Sequence, residues 1–586
     1  MYKERVWVVI GLAVIMVSTL GCATTGSVRN ARAFAQRASL ESKAALAATK
    51  ALAKKRDVDN AHFQAALTQL EGQQQRLKRR LERLQVKQRL SVAHTSASGR
   101  DIRVQSLAAI KAQAHVVMAQ VVARAHALAA APYKAPILVA PALRKLSFTD
   151  YGKLAFTARL PGWPVGTPFH IQLYPAGYLF TWPESIHVVS GGKDMEAHPP
   201  ITVLGDPGLQ KRIPSVVPPA GFSVYTPFSK GTSVNEFLSF LGASYFRAVG
   251  RGQAWGLSAR GVAVDTALPH SAEEFPYFRA FWIVASHAHA RHLVFCALLD
   301  SPSLTGAYRF IVRPGTQTIV DVKAVLFERK HVRRLGMAPL TSMFLQGRFS
   351  HKRFDRLVRA AHDSDGLSIA MPGEERLWWP LRDPHRIAIY RFPMLNPQGF
   401  GLMQRARRAS DYRAYGMHYE DRPSAWVTPE GNWGQGHIVL IELPTDSETN
   451  DNISAFWVPQ NQGPALAPLT FRYRIAWQGQ DPLGAHLAYV AAARHAYDAA
   501  THAETYVIDF EGEALAKTRA PLTPYVHVLG PARVLNPWLT RNADGQWRMQ
   551  FEVARTGSAS VVIHAALMAG HNRVSETWAN ELPHPR

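Results

Sequence analysis

The sequence predicts a mainly β protein with a large β-sandwich, a smaller sandwich after it and a helical N-terminal extension. First, short alternating runs such as 169–174 and 319–325 follow one another from about Pro136 onward, separated by Gly and Pro. This alternation with dense turns indicates antiparallel sheets packed face to face. Second, residues 29–90 contain no proline and are rich in Ala, Gln, Lys and Arg, which favours a helix.

The third observation concerns the last ninety or so residues, which also alternate. Segments 506–510, 547–553 and 560–567 are strand-like, and Asp544-Gly545 is a good hairpin turn. A chain of 586 residues is long enough for two or three domains. We therefore predict a signal segment at 1–21, a basic coiled-coil extension at 22–112, a large sandwich at 113–480, a linker at 481–496 and a small sandwich at 497–586.

The N-terminus has the pattern of an export signal. Lys3 and Arg5 precede an apolar run at 6–16, and Cys22 follows Gly21. The Gly-Cys pair resembles a bacterial lipoprotein cleavage site, although Thr19 stands where Leu is usual. Lipidation of Cys22 and membrane attachment are expected, with a plain signal peptide or an uncleaved anchor as the alternatives.

The chain is strongly basic, with a formal charge of +24 and a pI near 10.1. Such a charge usually indicates nucleic acid or an anionic membrane surface as partner. The export signal argues against nucleic acid, which leaves an acidic extracytoplasmic setting or a negatively charged membrane. The second cysteine, Cys296, lies in an apolar run and is expected to be a small buried hydrophobe.

The extension contains a short coiled-coil seam, which makes self-association an expectation. Its apolar residues follow alternating four- and three-residue steps: Phe63, Leu67, Leu70, Leu77, Leu81 and Leu84. Basic side chains surround this seam. They form either a solvated helix face or a stalk that holds the following domain away from an anionic membrane. Residues 91–99 break the pattern and read as a hinge.

Two polar clusters lie between strand-like segments, at 362–366 (His-Asp-Ser-Asp-Gly) and at 445–452 (Thr-Asp-Ser-Glu-Thr-Asn-Asp-Asn). Asp and Asn are good turn residues, so the clusters can be simple turns. Loops on a rigid scaffold are also where functional residues concentrate. Two carboxylates brought together from distant segments are the minimum set for glycosidic bond cleavage.

From about Ala123 to the end, the chain resembles the periplasmic glucan biosynthesis protein G/D family. The strings that carry this resemblance occur in one order along the chain: 241–247 (LGASYFR), 256–261 (GLSARG), 265–269 (DTALP), 273–276 (EEFP), 297–302 (ALLDSP), 338–344 (APLTSMF), 396–401 (NPQGFG), 422–426 (RPSAW), 448–452 (ETNDN) and 575–578 (SETW). The resemblance implies a large sandwich related to galactose mutarotases and a small immunoglobulin-like sandwich. It also implies a periplasmic location.

The resemblance further implies an inverting hydrolase of β-1,2-glucan. Carried over by motif, the general acid is Asp451, the general base is Asp363, and Tyr419 relays the proton from water to the base. Asp365 is the rival of Asp363, and Glu448 is the rival of Asp451. The acid must stay protonated at working pH, so we expect a raised pKa for Asp451.

Aromatic and charged side chains near these motifs are candidates for sugar binding. We predict Trp433, Trp378, Arg405, Arg422 and Glu448 as substrate-binding residues, although core packing and structural ion pairs explain the tryptophans and arginines equally well. No metal or cofactor is expected. His287, His289 and His292 read as a solvated hairpin loop, since no carboxylate or thiolate lies close to them in sequence.

Two functional classes remain open at this point. The first is a periplasmic glycoside hydrolase that trims or sizes β-1,2-glucan during osmoregulated glucan synthesis. The second is a non-catalytic glucan-binding or assembly factor for backbone elongation or branching, acting beside a membrane glucosyltransferase. The carboxylates and Tyr419 favour the hydrolase, whereas the basic extension suits the assembly factor.

Overall fold

The computed structural model describes residues 107–582, apart from 157–158, 229–233, 348–357, 415, 480, 483–485 and 543–544. The predicted signal segment, Cys22 and the coiled-coil seam lie outside the described residues. Within the described range, no helix has both the length and the apolar character needed to cross a membrane.

The helices are few, and only the first is long. The α-helices are α1 Leu107–Ala129, α2 Pro141–Arg144, α3 Phe148–Tyr151, α4 Pro207–Arg212, α5 Ala409–Tyr412 and α6 Glu513–Lys517, with 3-10 helices at Pro372–Glu374 and Tyr419–Asp421. Helix α1 is Ala-rich and lacks Gly and Pro. Ala114, Val117, Val121 and Ala125 recur every three or four residues on its buried side. The boundary predicted at 112/113 falls inside this helix.

The rest is mostly β-structure, as predicted. The strands are β1 Leu154–Phe156, β2 His170–Pro175, β3 Ser185–Ser190, β4 Lys193–Glu196, β5 Ile201–Val203, β6 Pro219–Pro227, β7 Val234–Leu241, β8 Tyr245–Ala248, β9 Ser258–Arg260, β10 Val262–Val264, β11 Tyr277–Val284, β12 Leu293–Asp300, β13 Leu304–Arg313, β14 Thr318–Glu328, β15 Leu335–Ser342, β16 Phe344–Gln346, β17 Ala361–His362, β18 Gly366–Ala370, β19 Arg376–Pro380, β20 Ala388–Leu395, β21 Gly399–Met403, β22 Ser424–Glu430, β23 Gln435–Glu442, β24 Ile453–Pro459, β25 Leu469–Gln478, β26 Tyr489–Asp498, β27 Ala503–Glu511, β28 Leu522–Leu529, β29 Ala532–Arg541, β30 Trp547–Arg555, β31 Val562–Ala569, β32 Asn572–Arg573 and β33 Thr577–Glu581.

The described chain divides into two compact units, and the described residues of the first lie within 107–113, 136–242 and 280–291. Its described strands form short antiparallel pairings: β1 with β5, β3 with β4, β2 with β6, and β6 with β7. Residues 280–284 of β11 add a parallel partner to β3. No residue of the predicted catalytic set belongs to this unit.

The described residues of the second unit lie within 114–135, 243–279 and 292–582 and include every predicted catalytic and substrate-binding residue. One of its sheets runs in the order β8-β9-β15-β24-β23-β20, with β10 also paired to β15. A second, longer sheet runs from β12 through β13, β14, β25, β22, β21, β18 and β19. Cys296 lies on β12 and is fully buried, as expected for a small hydrophobe.

The small C-terminal sandwich packs the sheet β26-β27-β30-β29 against β28-β31-β33. Tyr506, Phe551, Ile563 and Trp578 are among the buried residues of its core. The hairpin between β29 and β30 closes at Gly545, whose φ of +82° favours glycine. Strand β26 begins inside the segment predicted as a linker, because 489–498 pairs along its length with β27.

One sheet is continuous across both sandwiches. Strand β33 of the small sandwich pairs in parallel with β19 of the large one, with Leu377 opposite Thr577 and Trp378 opposite Trp578. Shared backbone hydrogen bonds therefore join the C-terminal domain to the sheet that also contains β18 and β21. The segment carrying Asp363 leads directly into β18.

Candidate functional site

The two polar clusters meet through the side chain of Asn452. The backbone N–H of Phe344 donates to its Oδ1 at 2.8 Å, and its Nδ2 donates to the carbonyls of Phe344 at 3.0 Å and Leu443 at 2.9 Å. Phe344 in turn pairs with His362 in the β16–β17 ladder. The buried amide thus fixes the end of the 445–452 loop beside the segment that carries Asp363.

Asp363 is held on the buried side of the site. Its backbone N–H donates to the Met343 carbonyl at 2.8 Å, and its carboxylate forms an ion pair with Nη1 of Arg422. The side chain is only 7% exposed. Burial raises the pKa of Asp363, and the Arg422 guanidinium opposes that increase. A carboxylate with a raised pKa is a stronger base than a free aspartate.

Asp451 lies at the other side of the site, immediately before Asn452. It keeps contact with solvent, yet the surrounding protein partly desolvates its carboxyl. This desolvation raises the pKa of Asp451, and the charge of Asp363 raises it further. Both effects favour the protonated form, which is the form that a general acid needs.

Tyr419 lies on the short 3-10 helix 419–421 and is 1% exposed. Its ring stacks on Tyr412 with centroids 5.5 Å apart, and the Arg422 guanidinium lies 4.1 Å from its centroid. The hydroxyl donates to Glu448 Oε2 at 2.6 Å. Burial, followed by this hydrogen bond to Glu448, raises the pKa of Tyr419. The phenol therefore stays protonated and exchanges protons only through its hydrogen-bond partners.

Two residues of the site were missed by sequence reasoning. Arg247 on β8 is exposed, and its charge lowers the pKa of both Asp363 and Asp451. It belongs to one of the motif strings, but no role was assigned to it. Gln404 is buried, and its Nε2 donates to the carbonyls of His362 at 3.0 Å and Tyr419 at 3.1 Å. It ties the segment that carries Asp363 to Tyr419, and only the fold reveals this.

Asp365, the rival of Asp363, is engaged with backbone. Its Oδ2 accepts from the N–H groups of Arg405 and Ala406, and its Oδ1 lies 3.5 Å from Nε2 of His362. These contacts hold the chain as it leaves β21. Asp365 is thus engaged with the backbone that follows β21, whereas Asp363 pairs with Arg422, which also lies on the Tyr419 ring.

The remaining predicted binding residues are placed in different surroundings. Arg405 forms a bidentate ion pair with Glu576, at 2.6 and 2.9 Å, and its guanidinium lies 3.5 Å from the centroid of the Trp378 ring. Trp433 is buried, and its indole donates to the Arg472 carbonyl. These contacts join domains and fill the core, whereas Arg422 and Glu448 lie with Tyr419 at the carboxylates.

One group of side chains has the types and spacing of metal ligands. Ligand atoms of His418, Glu420 and Asp421 lie within 4.8 Å of one another in the described part of the chain. Exposed acidic groups of this kind are common without an ion. We assign no role to this group.

Comparison with known proteins gives a consistent result. Residues 117–582 match the family model described as "Periplasmic glucan biosynthesis protein, MdoG". The chain is 38% identical to Glucans biosynthesis protein G of Ralstonia nicotianae over 501 residues, which cover 82% of this chain and 99% of the relative. It is 38% identical to the protein of that name from Pseudomonas aeruginosa, covering 79% of this chain and 92% of the relative. The match to the Pseudomonas putida protein is 44% identical, covering 62% of this chain and 65% of the relative.

Proposed function

The chain belongs to the MdoG family of periplasmic glucan biosynthesis proteins, and on this premise we propose that it is an inverting hydrolase of β-1,2-glucan. Participation in periplasmic glucan biosynthesis follows from the family. Trimming or sizing of the glucan backbone is the specific activity that we propose. The observation that carries the proposal is the meeting of Asp363 and Asp451, two carboxyl groups with raised pKa values beside a buried tyrosine.

In the proposed reaction, Asp451 donates its proton to the glycosidic oxygen as the bond from the anomeric carbon to that oxygen breaks. A water attacks the same carbon from the opposite face. The water proton passes to the Tyr419 hydroxyl, whose own proton moves on to the base, Asp363. Asp451 ends as the carboxylate and Asp363 as the acid, so one further proton exchange with solvent completes the cycle.

Two arginines near the proposed acid and base support their assigned roles. Arg422 pairs with Asp363 and lies on the Tyr419 ring, so it fixes the geometry of base and relay together. Arg247 limits how far the pKa of each carboxyl rises. An acid and a base that differ in environment and interact electrostatically are expected to titrate as a coupled pair.

The second candidate function is a non-catalytic glucan-binding or assembly factor. Two contacts favour it. Asp363 forms an ion pair with Arg422, and the Tyr419 hydroxyl donates to Glu448 instead of Asp363. In this state the relay is not aligned with its base. Under the hydrolase proposal, bound glucan realigns these groups, since catalytic hydrogen bonds often tighten only with substrate present.

Reducing-end release from linear β-1,2-glucan tests the proposal. We expect release by the full chain and none by Asp451→Asn. Asp446→Asn is a matched control, because Asp446 is an exposed aspartate of the same loop outside the proposed machinery. A folded wild-type protein that binds glucan and releases no reducing ends would reject the hydrolase in favour of the assembly factor.

We further propose that residues 1–21 direct export and that Cys22 carries a lipid anchor, which would place the protein at a membrane beside a glucosyltransferase. The basic residues of 22–112 support a location near an anionic surface. Partition of the Cys22→Ser variant out of the membrane fraction would support the anchor. Unchanged partition would indicate an uncleaved apolar segment instead.

A further inference from the structure

A large cleft lies between the two sandwiches, on the opposite side of the 362–365 segment from the ion pair of Asp363. Its volume is about 1720 Å³, and its walls include His362 and Asp365 on one side and strands β26, β27 and β30 on the other. Pockets for compact small ligands usually measure about 300–1,000 Å³. The cleft is therefore large enough for an extended ligand.

The cleft borders the segment that carries the proposed base. The chain bends at Asp363, between His362 and Asp365. His362, at the end of β17, lines the cleft, whereas its neighbour Asp363 contacts Arg422 in the site described above. One backbone segment therefore separates the cleft from the proposed catalytic base.

The carboxylates of the cleft are already engaged. Asp509 accepts from both Arg494 and Arg548, at 2.8 and 2.7 Å. Glu581 pairs with Arg382, and Glu511 accepts from the Tyr489 hydroxyl at 2.8 Å. These pairs hold the walls in place and leave little acceptor capacity for a ligand.

Several arginines, in contrast, retain donors. Arg386 and Arg408 are exposed and form no ion pair with any described residue. Arg407 binds the carbonyls of Glu420 and Arg422, and its Nε is buried without a partner among the described groups. Burial lowers the pKa of Arg407, and the nearby Tyr412, Asp365 and Asp421 oppose that decrease only in part. The cleft thus offers hydrogen-bond donors to a ligand rich in acceptors.

An aromatic platform completes the lining. Tyr497 is 58% exposed, and its hydroxyl hydrogen-bonds with Nδ1 of His502 at 3.1 Å. This bond holds a largely exposed ring in one orientation at the end of the β26–β27 hairpin. A rigid ring with a polar end suits the apolar face and hydroxyl rim of a sugar.

We propose that this cleft is a second carbohydrate-binding site, which holds a stretch of glucan away from the bond at Asp451. The charge balance favours a neutral, hydroxyl-rich ligand over a polyanion, since eight arginines and seven carboxylates line the cleft. Arg407 also contacts the backbone on both sides of Asp421, next to Tyr419, so an occupant of the cleft touches the support of the relay tyrosine. The identity of the sugar rests on the proposed function.

Binding of β-1,2-glucans of increasing length tests the proposal. Isothermal titration calorimetry uses the full chain carrying Asp451→Asn, so that the substrate stays intact. Adding Tyr497→Ala and Arg408→Ser is expected to weaken binding of long glucans by about tenfold, roughly 1.4 kcal/mol. Glucans too short to reach the cleft are expected to bind both proteins equally.

Two control variants in the same background separate the cleft from general surface effects. Tyr497→Phe keeps the stacking face and is expected to retain most of the affinity. Tyr525→Ala removes an exposed tyrosine of the same domain that does not line the cleft, and should leave affinity unchanged. Equal affinity of the double variant and its parent for long glucans would overturn the proposal. So would binding of inorganic phosphate at Arg408 with no effect of the variant on glucan.

The two proposals fail in different ways. A protein that binds long glucan through Tyr497 and releases no reducing ends would retain the cleft and lose the hydrolase. If the protein hydrolyses glucan and its affinity for glucan does not depend on Tyr497 or Arg408, the hydrolase proposal stands and the cleft proposal is rejected.

Discussion

The hydroxyl of Tyr419 donates a 2.6 Å hydrogen bond to the carboxylate of Glu448. Arg422 contacts both the ring of Tyr419 and the carboxylate of Asp363, and the charge of Asp363 also acts on the tyrosine. A phenol hydroxyl can donate one hydrogen bond while accepting another. In the proposed hydrolysis, the water proton would therefore have two routes through Tyr419, one ending on Asp363 and one on Glu448.

Tyr419→Phe should remove the relay while preserving the packing of the ring. We expect kcat to fall by about 10²–10⁴-fold, the usual contribution of a positioned proton-transfer group, with little change in KM. Tyr412→Phe is the matched control, because its hydroxyl donates to the Ala406 carbonyl and lies outside the proton route. Steady-state hydrolysis of linear β-1,2-glucan measures both. Similar losses in the two variants would mean that the Tyr419 hydroxyl has no specific role in proton transfer.

Substitution of the two carboxylates identifies the end of the relay. If Asp363 is the base, Asp363→Asn should lower kcat by at least about 10³-fold and Glu448→Gln by less than about tenfold, because Glu448 then only orients the phenol. The reverse ranking would assign the base to Glu448. Circular dichroism of each variant checks that the fold survives, since Asp363 is buried and Glu448 is exposed.

Removing the positive charge of Arg247 should shift the whole pH profile of kcat/KM. Arg247 lowers the pKa of both Asp363 and Asp451, so Arg247→Met should raise both values. The base must lose its proton, which moves the acidic limb of kcat/KM to higher pH. The acid must keep its proton, which moves the alkaline limb in the same direction.

Arg251→Met is the control for that shift, since Arg251 is an exposed neighbour that does not perturb either carboxyl. The pH dependence of kcat/KM for the two variants and the wild type gives the comparison. A profile of Arg247→Met that coincides with the wild type would remove Arg247 from the site. Movement of one limb alone would show that only one carboxyl faces it.

Much of the β architecture could be predicted from the sequence, because alternation and turn residues are local signals. Strands β27, β30 and β31 contain or overlap the segments predicted near the C-terminus. Strand β26 was predicted as part of a linker, since its Ala-rich sequence has little alternation and its pairing with β27 decides the conformation.

The site was predictable where a motif carried it and not where the fold assembled it. Asp363, Asp451 and Tyr419 were named from the resemblance, and their assigned roles stay predictions. Gln404 acts through an amide that joins two carbonyls from different segments, and no local pattern indicates this. Trp433 lies between Asn432 and Gly434 in a turn-rich segment, yet its ring is enclosed by Phe471, Tyr473 and Trp457 from several strands.

The buried ion pair of Arg405 with Glu576 links the two sandwiches, and breaking it should lower the stability of the protein. Glu576 is fully buried in the small sandwich and holds Arg405 of the large one through two bonds, while Asp481 supplies a further partner. Removing one partner of a buried pair costs about 3–5 kcal/mol, because the remaining charge is left buried. We expect Glu576→Gln to lie near the low end of that range, since Asp481 still neutralises Arg405.

Urea unfolding followed by tryptophan fluorescence should show a lower midpoint. Glu513→Gln, which breaks the exposed pair with Lys517, should leave the midpoint unchanged. Equal midpoints for Glu576→Gln and the wild type would mean that the continuous β19–β33 sheet holds the domains together without help from this pair.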